Sequence, residues 1–80
     1  MKSTLLIVPK IKNIQIARAY IGYSTVDLAK ESNLHYTAIQ AIESGGNKTV
    51  SPKTAKKISD TLNKKLDELF EVSLDGKEME

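Results

Sequence analysis

Residues that begin or end helices recur along this sequence at short intervals. Gly22, Asn33 and Gly45-Gly46 interrupt the first part of the chain, and Ser51-Pro52 and Asn63 interrupt the second. Between them, apolar residues recur at helical spacing, which predicts five short helices. Helices this short are unstable alone because nucleation is costly, so they must pack on one another. We therefore expect an all-α, five-helix domain.

The predicted helices span about residues 11–21, 24–32, 36–44, 52–62 and 66–70. Ser24 is expected to cap the second helix, with Asp27 completing a capping box. Ser51 is expected to cap the fourth, followed by Pro52 as its first residue. The positions predicted to fill the core are Ile14, Ala17, Ile21, Leu28, Ala29, Leu34, Ile39, Ile42, Ala55, Ile58, Leu62, Leu66, Leu69 and Phe70.

The composition argues against catalysis and against cofactors. A chain of 80 residues supports one small domain with a marginal core. It has no Cys, and its one His is His35, so thiolate chemistry and a metal cluster are not expected. Titratable residues do not gather into a plausible catalytic site. We predict a protein that is not an enzyme and has no cofactor and no metal.

The longest apolar run, Leu5 to Val8, is too short to span a bilayer or to form the apolar region of a signal peptide. A soluble cytoplasmic protein is expected. Within residues 1–10, read as an N-terminal arm, this run is open to three interpretations. It could be a disordered leader, a strand that pairs across a dimer, or an arm packed over Val26.

The charge is unevenly distributed along the chain. The net charge is +2, but residues 1–65 hold 11 Lys and Arg against 4 Asp and Glu, a balance of +7. Residues 66–80 hold 1 Lys against 6 Asp and Glu, a balance of −5. A basic body suits a polyanionic partner, although a lysine-rich solvated surface would give the same balance. Residues 72–80 are expected to form a flexible acidic tail.

The stretch from Thr25 to Ser44 has the spacing of a helix-turn-helix. Such a unit needs a small residue in its first helix, and Ala29 supplies it. Four positions later the tight turn needs a left-handed residue, which Asn33 can accept. The second helix must bury branched apolar side chains to hold its angle, and Ile39 and Ile42 do so.

Three segments resemble the Cro/phage-repressor family, also called the XRE family of helix-turn-helix DNA-binding proteins. Residues 22–29, GYSTVDLA, resemble the family's GLSQEELA entry. Residues 34–45, LHYTAIQAIESG, resemble VSRSTISRIERG, and residues 66–70, LDELF, match its closing segment. The resemblance covers about residues 11–71 and implies a repressor-like DNA-binding domain over that range.

The resemblance also implies a set of DNA-contacting residues. Those implied to read bases in the major groove are Tyr36, Thr37, Gln40 and Ala41. Those implied to contact the DNA backbone are Thr25, His35, Ser44, Asn47, Lys48 and Thr49. Glu43 and Arg18 are expected to have structural roles, Glu43 by holding a neighbouring backbone or basic group and Arg18 by pairing with an acid across helices.

The implied function is sequence-specific transcription regulation. We expect a bacterial or phage repressor, nucleoid-associated, that binds double-stranded DNA as a homodimer on an inverted repeat. The chain departs from the family at several positions: Asn33 replaces the usual Gly, His35 replaces a Ser or Thr cap, and the outer-face positions 36, 37, 40, 41 and 44 hold no Lys or Arg. The last of these departures supports an alternative, a protein-interaction module such as an antitoxin or antirepressor that keeps the fold and binds a regulatory protein instead of DNA.

Overall fold

The computed structural model describes residues 5–46 and 48–74. The elements in chain order are β1 (Leu5–Pro9), α1 (Ile11–Tyr20), α2 (Thr25–Glu31), α3 (Tyr36–Glu43), α4 (Pro52–Leu62), α5 (Leu66–Leu69) and β2 (Phe70–Leu74). The five predicted helices are confirmed. Two strands join them, so the expectation of an all-α domain is only approximately right.

Side-chain caps set the beginnings of α2 and α4. The Ser24 hydroxyl accepts a hydrogen bond from the backbone N–H of Asp27, and the Asp27 carboxylate accepts one from the backbone N–H of Ser24. The Ser51 hydroxyl accepts from the N–H of Thr54 at the start of α4, where Pro52 is the first residue. Both caps were predicted, and both supply acceptors to N–H groups that a helix leaves unpaired.

The helices enclose one apolar core. Its buried side chains are Ile7, Ile14, Ala17, Leu28, Ala29, Ile39, Ile42, Ala55, Ile58, Leu62, Leu69 and Phe70. Leu34 and Leu66 pack against this core and are partly buried. Ile21 was predicted to belong to it and is 44% exposed. The reason is that α1 ends at Tyr20, so Ile21 lies past the last turn of the buried stripe.

The two strands form an antiparallel pair that joins the first and last described elements. Leu5 faces Leu74 and Ile7 faces Val72. Ile7, Pro9 and Phe70 are buried, so the pair closes over the helical core. Sequence analysis placed residues 72–80 in an acidic tail, and the structure corrects this for residues 72–74, which lie in β2.

The Leu5–Val8 run is therefore neither a disordered leader nor an arm over Val26. It pairs with β2 of its own chain, and Ile7 is buried there. The remaining parts of the predicted arm and tail, residues 1–4 and 75–80, lie outside the described residues. No helix in residues 5–46 and 48–74 is long and apolar enough to cross a membrane.

Candidate nucleic-acid interface

A tight turn connects α2 to α3. Asn33 has φ 59°, in the left-handed region that Asn tolerates better than other non-glycine residues. The N–H of Leu34 donates to the carbonyl of Ala29 at 2.9 Å, and the N–H of Asn33 donates to that of Lys30 at 3.2 Å. These bonds satisfy the last carbonyls of α2 and fix the direction in which the chain enters α3.

The inner face of α3 is locked into the core. Ile39 and Ile42 are each 1% exposed. They lie in the same buried cluster as Leu28 and Ala29 of α2. The small side chain at Ala29 allows close approach of the two helices, as predicted. Packed apolar side chains on the inner face therefore set the angle of α3. The side chains on its outer face are not needed to hold that angle.

A partly buried ion pair holds the end of α3 to α1. The Arg18 guanidinium donates to both Glu43 carboxylate oxygens, at 2.8 and 2.9 Å. A further guanidinium N–H donates to the carbonyl of Tyr23 at 3.0 Å, in the turn before α2. Arg18 therefore ties three segments together. The structural roles predicted for Arg18 and Glu43 are confirmed.

The outer face of α3 carries the residues implied to read bases. Tyr36, Thr37 and Gln40 are exposed, and Ala41 is half-buried. Their spacing places them on one side of the helix, opposite Ile39 and Ile42. Side chains on this face offer hydroxyls, an amide and methyl groups, and none of them is charged.

His35 caps α3. Its Nδ1 lies 2.9 Å from the Thr37 hydroxyl and accepts a longer hydrogen bond, 3.4 Å, from the Thr37 N–H. The ring is exposed. An imidazole thus replaces the Ser or Thr hydroxyl usual at this position in the XRE family. This contact with His35 also orients Thr37, one of the implied base-reading residues.

Two further groups of implied contact residues lie on other elements. Thr25 is the first residue of α2 and is half-buried. Beside it, the Ser24 backbone N–H, and then its side chain, lowers the pKa of the exposed Asp27 carboxyl, so the cap carries a negative charge at neutral pH. Ser44 follows α3, and its hydroxyl donates to the carbonyl of Ala41 at 3.3 Å.

The loop between α3 and α4 carries the remaining residues. Lys48 and Thr49 are exposed there. Asn47 lies outside the described residues. The N–H of Val50 donates to the carbonyl of Ile7 at 2.9 Å, so β1 anchors the end of this loop. That anchor was not predicted, because it depends on β1 pairing within its own chain, and the sequence analysis considered a strand here only as one that pairs across a dimer.

Residues 14–69 of the chain match the family described as helix-turn-helix. The chain belongs to this helix-turn-helix family. The Cro/phage-repressor, or XRE, resemblance inferred from residues 22–29, 34–45 and 66–70 is thereby confirmed. A search of curated proteins finds no match.

Among solved structures, the helix-turn-helix chain is similar to SinR, a master regulator for biofilm formation whose crystal structure was determined in complex with DNA. The TM-score is 0.70 at 22% identity, over 72% of this chain and 95% of that chain. At this level of identity the likeness establishes the fold. The elements that the family shares, α1 to α5, are the ones that position the outer face of α3.

Within the part of the chain that the structure describes, His, Asp and Glu side chains do not gather in groups of three or more that could hold an ion. An open groove of about 380 Å³ lies between α1 and α5, away from α3. The chemistry available on α3 is hydrogen bonding and methyl contact.

Proposed function

We propose that this protein is a sequence-specific transcriptional regulator, a repressor that binds an inverted-repeat DNA operator as a dimer. One observation carries the proposal: α3 is fixed by Ile39, Ile42 and the Arg18–Glu43 pair, and turns an exposed, uncharged polar face to solvent. A rigid helix with such a face suits the major groove, where bases are read by hydrogen bonds and methyl contacts. The similar SinR structure holds DNA.

The base-reading residues would be Tyr36, Thr37, Gln40 and Ala41. The Gln40 amide can donate to and accept from the edge of adenine in two hydrogen bonds. The methyl groups of Thr37 and Ala41 suit the methyl of thymine. Tyr36 would reach a phosphate with its hydroxyl or a thymine methyl with its ring edge.

Contacts with phosphates would supply most of the affinity. The residues proposed for them are Thr25, His35, Ser44, Asn47, Lys48 and Thr49. The balance of +7 over residues 1–65, from 11 Lys and Arg against 4 Asp and Glu, favours a polyanion through the whole body of the domain. Such contacts fix the register of the protein on DNA without specifying sequence.

Two substitutions separate affinity from specificity. Lys48→Ala should weaken binding to all DNA alike and reduce the salt slope by about one unit, because it removes one phosphate contact. Gln40→Ala should cost about 1–3 kcal/mol on the preferred site and little on random DNA. Fluorescence anisotropy across a salt series measures both. If Gln40→Ala weakened specific and random binding equally, its base-reading role would be wrong.

The preferred operator should be an inverted repeat with A·T-leaning half-sites. Guanine is read best by Arg or Lys, and positions 36, 37, 40, 41 and 44 hold neither. A two-fold symmetric dimer presents the same helix to each half-site, which requires the inverted repeat. Selection of bound sequences from a random DNA pool tests both features. Recovery of G·C-rich single boxes would contradict them.

The uncharged outer face of α3 also favours a second candidate. A protein-interaction module, such as an antitoxin or antirepressor, would use the same face to bind a regulatory protein. Gel shifts on random DNA at rising salt distinguish the two, because only a DNA-binding regulator loses affinity steeply as salt increases.

A further inference from the structure

The outer edge of β2 presents unpaired backbone groups. In an antiparallel ladder, residues alternate between pairs that bond each other and pairs whose N–H and C=O point outward. The backbone N–H of Lys10 donates to the carbonyl of Leu69 across the ladder at 2.8 Å. The carbonyl of Ile7 points away from β2 and accepts a hydrogen bond from the backbone N–H of Val50. Both bonds give the same alternation. Val72, which faces Ile7, therefore turns its N–H and C=O away from β1.

Backbone partners for this edge are missing within residues 5–46 and 48–74. The edge of β1 is covered where Val50 bonds Ile7, but no described backbone group bonds the N–H or C=O of Val72. Apolar side chains surround it: Val72 is 37% exposed, and Leu5 and Leu6 are exposed on the neighbouring strand. β2 has no Pro, Lys or Arg, and its one charged side chain is Glu71, so it has few of the residues that commonly prevent an edge strand from pairing.

We propose that β2 is the surface through which two copies of this chain dimerise, by antiparallel pairing into a four-stranded sheet. The alternation of the ladder turns the backbone groups of Val72 outward at the middle of β2, and we place the two-fold axis there. Val72 of one copy would exchange both backbone hydrogen bonds with Val72 of the second copy, and the two-fold axis would pass between them.

The sequence of β2 is complementary to itself in this register. With Val72 at the axis, Glu71 lies opposite Ser73 of the second copy, and Phe70 lies opposite Leu74. The two Glu71 carboxylates are therefore not placed directly opposite one another, where like charges destabilise a sheet. The Val72 side chains meet on the same face, which covers apolar surface that the single chain leaves exposed. This self-complementarity favours a second copy over an unrelated strand.

The inference deepens the dimeric part of the proposed function and rests on that part. It can be tested with Val72→Pro in the full chain. Proline removes the outward N–H of Val72 without removing a bond to β1, and proline is tolerated at such edge positions. Sedimentation equilibrium should give a dimeric mass for the unaltered chain and half that mass for Val72→Pro. The control Val72→Thr keeps the N–H and the branched side chain and should remain dimeric.

Cross-linking gives a second test that does not depend on the folding of the proline variant. The chain has no Cys, so Val72→Cys introduces a single thiol. Across the axis the two Cα atoms would lie about 5.5 Å apart, within the range of a disulfide. The matched control Glu71→Cys would place its two Cα atoms about 8 Å apart, beyond that range. Diamide should cross-link Val72→Cys and leave Glu71→Cys largely monomeric.

Three results would overturn the proposal. The unaltered chain could be monomeric, a folded Val72→Pro variant could still be dimeric, or the two cysteine variants could cross-link equally. These outcomes are separable from failure of DNA binding. If the chain dimerises through a different surface, it should still bind its operator in a gel-shift assay. In that case only the β2 interface is wrong. A chain that cross-links through Val72→Cys but shows no salt-dependent binding to DNA keeps the interface and contradicts the proposed function.

Discussion

Replacing Arg18 with Met should lower the free energy of unfolding by about 3 kcal/mol, because it leaves the carboxylate of a partly buried ion pair without its partner. The Glu43 side chain is only 7% exposed and would lose both guanidinium hydrogen bonds. The carbonyl of Tyr23 would lose its donor as well. Urea unfolding followed by circular dichroism measures the change.

The control is the double variant Arg18→Met/Glu43→Leu. It removes both charges, so no carboxylate is left buried without a partner, and it should recover at least half of the loss. Lys56→Met is a matched comparison, because Lys56 forms an exposed ion pair with Asp60 at 3.4 Å and such pairs contribute little. An unfolding midpoint unchanged by Arg18→Met would contradict the role assigned to the pair.

Ile39→Ala should cost about 2–4 kcal/mol, because it leaves a cavity between α2 and α3 where the side chain is 1% exposed. In a domain of 80 residues that loss is a large part of the total stability. Thermal melting measures the effect, and Gln40→Ala on the exposed face of the same helix should melt close to the unaltered chain. Equal melting temperatures for Ile39→Ala and the unaltered chain would mean that α3 does not pack through Ile39.

The helical part of the fold could be predicted because its determinants are local. Ser24, Asn33 and Ser51 each act on backbone groups within a few residues, so their positions in the sequence place helix ends directly. The apolar stripe of α3 was also predictable, since Ile39 and Ile42 lie at helical spacing. Structural roles could be predicted for Arg18 and Glu43 separately. Their 2.8 Å contact with each other could not, because it joins residues far apart in sequence.

The strand pair could not be predicted in the same way. Leu5 to Val8 is uniformly apolar, and such short runs fit a strand, a leader or a buried helix equally well. Its partner lies at the other end of the sequence, and the acidic residues that follow led to the prediction that residues 72–74 belong to a flexible tail. One signal was present: apolar Phe70, Val72 and Leu74 alternate with Glu71 and Ser73, which is the two-residue period of a strand.

For the candidate site, the sequence placed Tyr36, Thr37, Gln40 and Ala41 on one helix because all four belong to the same short segment. It did not reveal how the loop with Lys48 and Thr49 is held. That depends on the bond from Val50 to Ile7, which joins two segments that local patterns cannot relate.

The strand pair also determines how the domain responds to mechanical force. Leu5 and Leu74 are partners at the open end of the ladder, so tension on the two ends of the domain pulls directly across it. The force then acts on one hydrogen-bonded residue pair at a time, starting at the open end, and is not shared among the pairs. Once the hydrogen-bonded pairs on either side of Ile7, Leu6 with Ser73 and Val8 with Glu71, have opened, β2 no longer holds Ile7 in the core, and the loop anchor from Val50 to Ile7 is no longer fixed to the domain. An unfoldase that pulls on either end of the domain would therefore open the strand pair, its mechanically weakest part, before the helices.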